Sequence, residues 1–394
     1  MFIIMTVTII GCGLTGATLA LALSKLTKGN ITINVIEAVM PALDSSFSSS
    51  LSDRYIAITY STCCELKSIG IWSVLASYAT AITYVEVSNS GTCSKVGINA
   101  ADYYLPVLGY VININHAKKK LFNLLQLSTG VKIYCPAVLK NINRNNQNTI
   151  LTLDNGQQLI SQLMVAADGT LSKLAVMSGI RWNTINYKQI AVIADVSTSL
   201  HHRGYAFEMF SINNGSLALL PIQGGNSSLI WCLPDKFKTE IYSWNNIKFC
   251  QVLQKKFGWR LGKINDVRAR QYYNLKLCYA ERHITHRVAL IGNAAQTLHP
   301  ILGQGFNLGL RDVITLAEIL NNALVQGDDI GSYAVLVRYQ QRRLLDQKKI
   351  ICITDGLVKL LTNKNNIIRL GLNLGLFAFA NIPCLRNILV RQIL

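Results

Sequence analysis

Apolar positions in this chain recur with two periods, and their alternation predicts an α/β protein interrupted by an antiparallel block. From Thr6 to Ile10 a β-branched run reaches the turn Gly11-Cys12-Gly13, and Leu14 to Leu26, rich in Ala and Leu, reads as a helix. Ile31 to Ile36 is a second strand and closes a βαβ unit. The serine-rich stretch from Asp44 to Asp53 has no period and reads as a loop, whereas Thr59 to Ala79 reads as helical. Short strands are expected at Val131 to Ile133, Ile150 to Leu153 and Leu163 to Ala166, the middle one running into the turn signal Asp154-Asn155-Gly156. Between Ile190 and Leu233 apolar runs alternate with Gly and Asn clusters, the signature of a largely antiparallel sheet. Arg287 to Ile291 is again a buried-strand run, Leu308 to Leu324 a helix, and the chain from Tyr333 onward reads as helical. Its apolar stretch Ile367 to Ala380 is shorter than the roughly 20 residues of a membrane-spanning helix, so a buried or interfacial helix is expected there.

Gly11-Cys12-Gly13-Leu14-Thr15-Gly16 fits GxGxxG between a strand and a helix, and Glu37 ends the next strand 21 residues beyond Gly16. Each part has a reason. Gly11 permits the tight turn, Gly13 lets a pyrophosphate approach the backbone, Gly16 lets helix and strand pack, and Glu37 can hold a ribose hydroxyl. The spacing points to a dinucleotide without separating FAD from NAD.

Two later segments separate them. Leu163 to Thr170, with Asp168-Gly169 at its end, and Gly292-Asn293 through His299-Pro300, followed by Gly303-Gln304-Gly305-Phe306-Asn307, resemble in type and order the cofactor segments of FAD-dependent aromatic hydroxylases. The string from Gly292 to Asp312 resembles the ubiquinone-biosynthesis branch of that family, in particular the hydroxylases of 2-polyprenyl-6-methoxyphenol, and similar stretches run from Gly16 to Leu23, Phe257 to Lys263 and Tyr339 to Arg343. The resemblance implies FAD as cofactor, NAD(P)H and O2 as co-substrates, and hydroxylation of a prenylated phenol to a benzoquinol. It implies cofactor roles for Asp168, Gly292, Asn293, Gly303, Gly305 and Asn307, and for Arg54, which matches a family arginine near the flavin although Tyr55 stands where the family usually has glycine. Asn293 replaces the aspartate of most relatives, and an amide can still bond a ribitol hydroxyl. Lys120 stands where the family often has an arginine. No catalytic acid or base is identified, and His299 reads as a structural histidine as readily as a tuning one.

With that resemblance, the expected architecture is a discontinuous Rossmann-like FAD-binding domain with an inserted, mainly antiparallel substrate domain and a helical C-terminus. Its parts are 1–180, with a short substrate-side insertion near 70–105, then 181–280 as the substrate domain, 281–330 as the second FAD part, and 331–394 as the helical region.

Composition adjusts this picture at the margins. Ten cysteines form no CxxC and no Cys/His group with zinc spacing, so no metal site is expected and reduced thiols fit a cytoplasmic protein. The 38 Lys and Arg against 20 Asp and Glu give a formal charge of +18, but the basic residues are scattered without interleaved aromatics, which argues against nucleic acid. Charge and the apolar end together suit peripheral attachment to the inner face of a membrane, where a prenylated substrate resides. Other ubiquinone-pathway proteins are expected partners by resemblance. The alternatives are a sister hydroxylase acting at another ring position and a non-enzymatic carrier of prenylated cargo.

Overall fold

The strand Thr6–Ile10 is β-branched, and all but its first residue is buried, as expected for a strand covered on both faces. It lies at the centre of a six-stranded sheet in the computed structural model, which describes residues 5–41, 54–89, 95–211 and 215–362. The order across the sheet is Ile284–Thr285, Val288–Leu290, Leu163–Ala166, Thr6–Ile10, Thr32–Ile36 and Val131–Tyr134, parallel throughout except for the Ile284–Thr285 edge. Alternate residues serve opposite faces. Leu163 and Val165 join Val7 and Ile9 in the core beneath helices Leu14–Leu26, Ile114–Gln126 and Gln304–Gln326, while Met164 and Ala166 pack against the antiparallel meander Leu139–Arg144, Thr149–Leu153 and Gln158–Ser161.

A second, eight-stranded sheet is almost wholly antiparallel and is built around two long strands, Trp182–Thr198 and Ile264–Ala280. Tyr84–Asn89 and Lys95–Asn99 come from the earlier part of the chain and complete it, Tyr84–Asn89 pairing in parallel with Tyr205–Ser211. One face of this sheet is buried by Phe249, Leu253 and Phe257 of helix Asn246–Phe257.

The expected helix from Thr59 to Ala79 does not form as one piece. Tyr55–Thr59 is a strand, Thr59 caps the helix Tyr60–Ser68 by accepting from the Thr62 N–H, Gly70 at φ +77° ends that run, and Ala79 begins the next strand. The apolar stretch Ile367 to Ala380 and the loop Asp44 to Asp53 lie outside the described residues. Among the described residues no helix is long and apolar enough to cross a membrane.

Candidate active site

The glycine turn is held by its own backbone. Gly11 adopts φ +101°, a conformation costly for other residues, and a Cβ there would lie 2.4 Å from the Ala167 carbonyl oxygen and 2.9 Å from Asp168 Cα. A Cβ on Gly16 would sit 2.0 Å from the Gly11 carbonyl oxygen, so this residue lets the first helix press onto the turn. Gly13 differs from both, because nothing lies within 4 Å of its would-be Cβ. The helix Leu14–Leu26 that starts there has no side-chain cap and no acid in its first turn, leaving its N–H groups and positive dipole end open to an anion. Glu37 closes the turn from the next strand, its carboxylate accepting the Cys12 N–H at 2.6 Å and the Val39 N–H at 3.3 Å. Burial pushes the Cys12 thiol up to about 12, with Glu37 and Cys135 adding to that and Lys118 opposing it. Lys120 lies over the Tyr78 ring at 5.1 Å.

The other two segments converge on the same place. Asp168 follows the buried strand Leu163–Ala166; one carboxylate oxygen accepts the Leu174 N–H at 3.3 Å, and the other is buried without a partner among the described residues. Gly292 adopts φ +59°, and a Cβ on it or on Gly309 would meet Thr15 Cγ2 at 2.7 or 2.9 Å, so the third segment abuts the first helix turn. The Thr170 and Thr297 hydroxyls join the second and third segments at 2.7 Å. Asn293 is exposed on the short turn Gly292–Ala294. Gly303 and Gly305 flank the start of helix Gln304–Gln326, which like the first has no side-chain cap, and a Cβ on Gly305 would meet nothing within 4 Å.

Asn307 has a different task from the one its motif suggests. Its oxygen accepts from the Thr59 N–H and the Thr62 hydroxyl, and its nitrogen donates to the Ala57 and Gly303 carbonyls. All four hydrogen-bonding positions of the amide are spent inside the protein, so it clamps the strand Tyr55–Thr59 to the Gly303 turn. Arg54, just before that strand, is exposed and places its guanidinium 5.2 Å from the centre of the Tyr273 ring on the eight-stranded sheet. Tyr55 turns into an apolar cluster with Ile82, Leu108 and Ile222.

Behind the third segment stands a buried network that joins the family-like strings Gly292 to Asp312 and Tyr339 to Arg343. Asp312, 0% exposed, accepts the Gly292 N–H and the Gln296 amide at 2.9 Å each, and Arg343 Nε donates to it at 2.7 Å. Arg343 Nη1 donates to Asp346 at 2.7 Å, and the Tyr339 hydroxyl donates to the Leu290 carbonyl at 2.7 Å. Burial opposes the charge on Arg343, but Asp312, Tyr339 and Asp346 together outweigh it and raise its pKa.

His299 ties the third segment to the eight-stranded sheet. Its Nδ1 accepts the Ile301 N–H at 3.2 Å, which leaves Nε2 to donate to Gln189 Oε1 at 2.9 Å. Burial pulls its pKa from 6.5 down to about 4, so the ring is neutral at physiological pH and serves as a fixed donor. In the unfolded chain the same ring charges below about 6.5, so its contribution to stability is complete above that pH and is lost as pH falls toward about 4. Denaturant melts at pH 7.5 and 4.5 should show acid destabilisation, of which His299→Asn removes a share of up to about 3 kcal/mol. An unchanged pH slope in the variant would exclude this role.

An open glycine at a helix N-terminus, an unpartnered buried carboxylate oxygen and a second uncapped helix form a cradle that fits a dinucleotide diphosphate and its hydroxyls. Fold and cradle together define a dinucleotide-binding protein. A family model described as an FAD binding domain matches residues 4–354. The chain is 32% identical to a ubiquinone hydroxylase (UbiL) of Rhodospirillum rubrum over 98% of its length and 88% of that protein's. It is 30% identical to the 3-demethoxyubiquinol 3-hydroxylase of Escherichia coli, with 94% of each covered. The p-nitrophenol 4-monooxygenase PnpA of Pseudomonas putida superposes with a TM-score of 0.79 at 17% identity, covering 99% of this chain and 97% of that one. The chain belongs to the FAD-dependent hydroxylases of ubiquinone biosynthesis.

Proposed function

We propose that this enzyme hydroxylates 2-polyprenyl-6-methoxyphenol to 2-polyprenyl-6-methoxy-1,4-benzoquinol, with FAD as cofactor and NAD(P)H and O2 as co-substrates. The observation that carries this reading is the convergence of Gly13, Asp168 and the Gly292–Gly309 segment below an antiparallel sheet tied to them through His299 and Arg54. Bound FAD supplies the redox and oxygen-transfer chemistry. The chain's part is to bind, orient and exclude water. Gly13 and the N–H groups behind it would hold the pyrophosphate, Glu37 a ribose hydroxyl, Asp168 a cofactor hydroxyl through its spare oxygen, and Asn293 the ribitol chain. The Gly303–Gly305 backbone would lie beside the ring system, with Arg54 closing the cleft against Tyr273.

A sister activity at another ring position is the second reading, favoured by the 30% identity to a 3-demethoxyubiquinol 3-hydroxylase. The polyprenyl tail would bring the enzyme to a membrane surface. The helix Tyr333–Thr362 suits such contact, since it exposes Leu345 and Ile353 beside Arg342, Lys348 and Lys349.

One experiment tests both parts. FAD-loaded protein is incubated with NADPH, O2 and vesicles of anionic phospholipid carrying the prenylated methoxyphenol. The product should gain one oxygen para to the phenol, and the protein should sediment with the vesicles at low salt. Oxygen gained at another carbon selects the sister activity, NADPH consumption without product rejects the substrate, and protein left in the supernatant rejects membrane contact. The carrier alternative requires that the phenol leave NADPH consumption unchanged.

A further inference from the structure

One face of the eight-stranded sheet meets the FAD-binding layer through Gln189 and Tyr273, and the other is covered by the helix Asn246–Phe257. That helix has an outer side of its own. Phe249, Leu253 and Phe257 recur every four residues and are 0% exposed against the sheet. Ile247, Lys248, Gln251 and Lys255 fall on the opposite side of the turn and are exposed, Ile247 at 70%.

Gly258, at φ +82°, ends the helix, and Gln254 fixes the turn that follows it. The Gln254 amide nitrogen donates to the Gly258 and Gly262 carbonyls, and its oxygen accepts the Ile264 N–H. Trp259 stands on this held turn at 70% exposure, whereas Trp72 and Trp231 are buried and Trp182 and Trp244 half-buried. Leu200, 56% exposed, is bonded to the same turn by donating its N–H to the Leu261 carbonyl. A large aromatic and two aliphatic side chains are thus carried into solvent by backbone that is itself well fixed, the arrangement of a contact surface.

The charge around it has one sign. From Ile241 to Asn265 the chain carries five bases, Lys248, Lys255, Lys256, Arg260 and Lys263, and no acid. Arg260 is paired with Glu86 at 2.6 Å, but among the described residues none of the four lysines has an ion pair. Asp266, the next acid along the chain, is already bonded to Arg268 and Asn246, and the preceding segment 235–243 balances Asp235 and Glu240 against Lys236 and Lys238. Helix Tyr333–Thr362 also exposes apolar residues, but several of its cations are paired with acids: Arg338 with Asp328, Arg342 with Glu318, Lys359 with Asp355.

Unpaired lysines around exposed aromatic and aliphatic side chains fit an anionic lipid surface better than an acidic protein. Lysine is depleted in protein interfaces, where its flexible chain must be ordered and its ammonium desolvated, whereas at a membrane it stays hydrated among the headgroups. Tryptophan collects at that same depth, its ring in the apolar boundary and its N–H in the polar one, and exposed aliphatic residues gain there from hydrocarbon. We propose that the helix Asn246–Phe257 and the turn 258–263 dock this enzyme on anionic phospholipid, with Ile247 and Trp259 entering the headgroup boundary and Lys248, Lys255, Lys256 and Lys263 on the phosphates. This rests on the membrane contact proposed above and gives it a place: the eight-stranded sheet, and not the FAD-binding layer, faces the lipid.

The test is sedimentation of the FAD-loaded full chain at low salt with vesicles of mixed phosphatidylglycerol and phosphatidylcholine, compared with phosphatidylcholine alone. The unmodified protein should pellet with the anionic vesicles only. Lys255→Glu combined with Lys256→Glu should lower partitioning about thirtyfold or more, the scale of two lysines near an anionic surface, while Lys348→Glu combined with Lys349→Glu on helix Tyr333–Thr362 should lower it far less. Bound FAD content confirms the folding of each. Tryptophan emission gives a second readout: phospholipid brominated on its acyl chains should quench the unmodified protein, and Trp259→Phe should lose that quenching. Unchanged partitioning of the Lys255 and Lys256 variant, or quenching that survives in Trp259→Phe, overturns the inference. Loss of binding in the Lys348 and Lys349 variant alone moves the contact to helix Tyr333–Thr362 and keeps the membrane reading, whereas unmodified protein left in the supernatant removes that reading and this inference together and leaves the face to an acidic protein.

Discussion

Gly13→Val should yield a folded, stable protein that no longer retains FAD. The backbone of Gly13, at φ −66° and ψ −177°, suits any residue, and its would-be Cβ points into open space, so the new side chain strains nothing in the apoprotein. It occupies the surface on which the pyrophosphate would rest and keeps the phosphates from the N–H groups of the helix N-terminus. Losing one or two charge-assisted hydrogen bonds of about 1.5–3 kcal/mol each corresponds to a fall in FAD affinity of roughly a hundredfold or more. Gly16→Val should fail differently: its Cβ would lie 2.0 Å from the Gly11 carbonyl, forcing helix and strand apart, and overpacking of this kind costs about 1–3 kcal/mol or more whether FAD is present or not. Isothermal titration with FAD and thermal melts of both apoproteins separate the two effects. A Gly13→Val protein with unchanged FAD affinity would remove the cofactor from this turn.

The second large effect is expected at Arg343, far from the glycine turn in sequence. Arg343→Met leaves Asp312 at 0% exposure without its cation, and breaking a buried pair from one side costs about 3–5 kcal/mol. Because Asp312 also accepts the Gly292 N–H, the loss should reach the cofactor turn, and the folded fraction should hold less FAD than the parent. Arg343→Lys should recover only part of either loss, since Nε and Nη1 of the guanidinium reach two carboxylates, Asp312 and Asp346, in a fork that an ammonium cannot reproduce. Chemical denaturation with parallel FAD quantitation measures both. Wild-type stability in Arg343→Met would show the pair to be dispensable, and full FAD content in a destabilised variant would show that Asp312 does not position the turn.

The contrast between Gly13 and Arg343 shows what each level of organisation contributes. The first strand, the first helix and the second strand were legible because their apolar periods are local and the glycine turn punctuates them. The glycines of the three segments were legible as residue types, since Gly11, Gly169, Gly292 and Gly303 each adopt a positive φ that favours glycine. The segment expected to be helical from Thr59 to Ala79 is helical over most of its length, in the pieces Tyr60–Ser68, Trp72–Leu75 and Ala76–Tyr78, and the break between the first two falls at Gly70, whose φ of +77° no apolar period reports. Asn307 looked like a ligand residue in its motif, and only the folded chain shows its amide consumed by Thr59, Thr62, Ala57 and Gly303. Lys120 is one of a run of three lysines in the sequence, and only the folded chain shows it over the Tyr78 ring.

By itself, then, the sequence determined the βαβ unit, the glycine turn between its first strand and helix, and the presence of an antiparallel insertion, all of which rest on local periodicity and backbone conformation. The tertiary structure decided that Asp312 and Arg343 support Gly292 and that His299 reaches Gln189. Those relations depend on strand register and on which distant groups share a water-free interior. Neither is encoded at any fixed spacing along the chain.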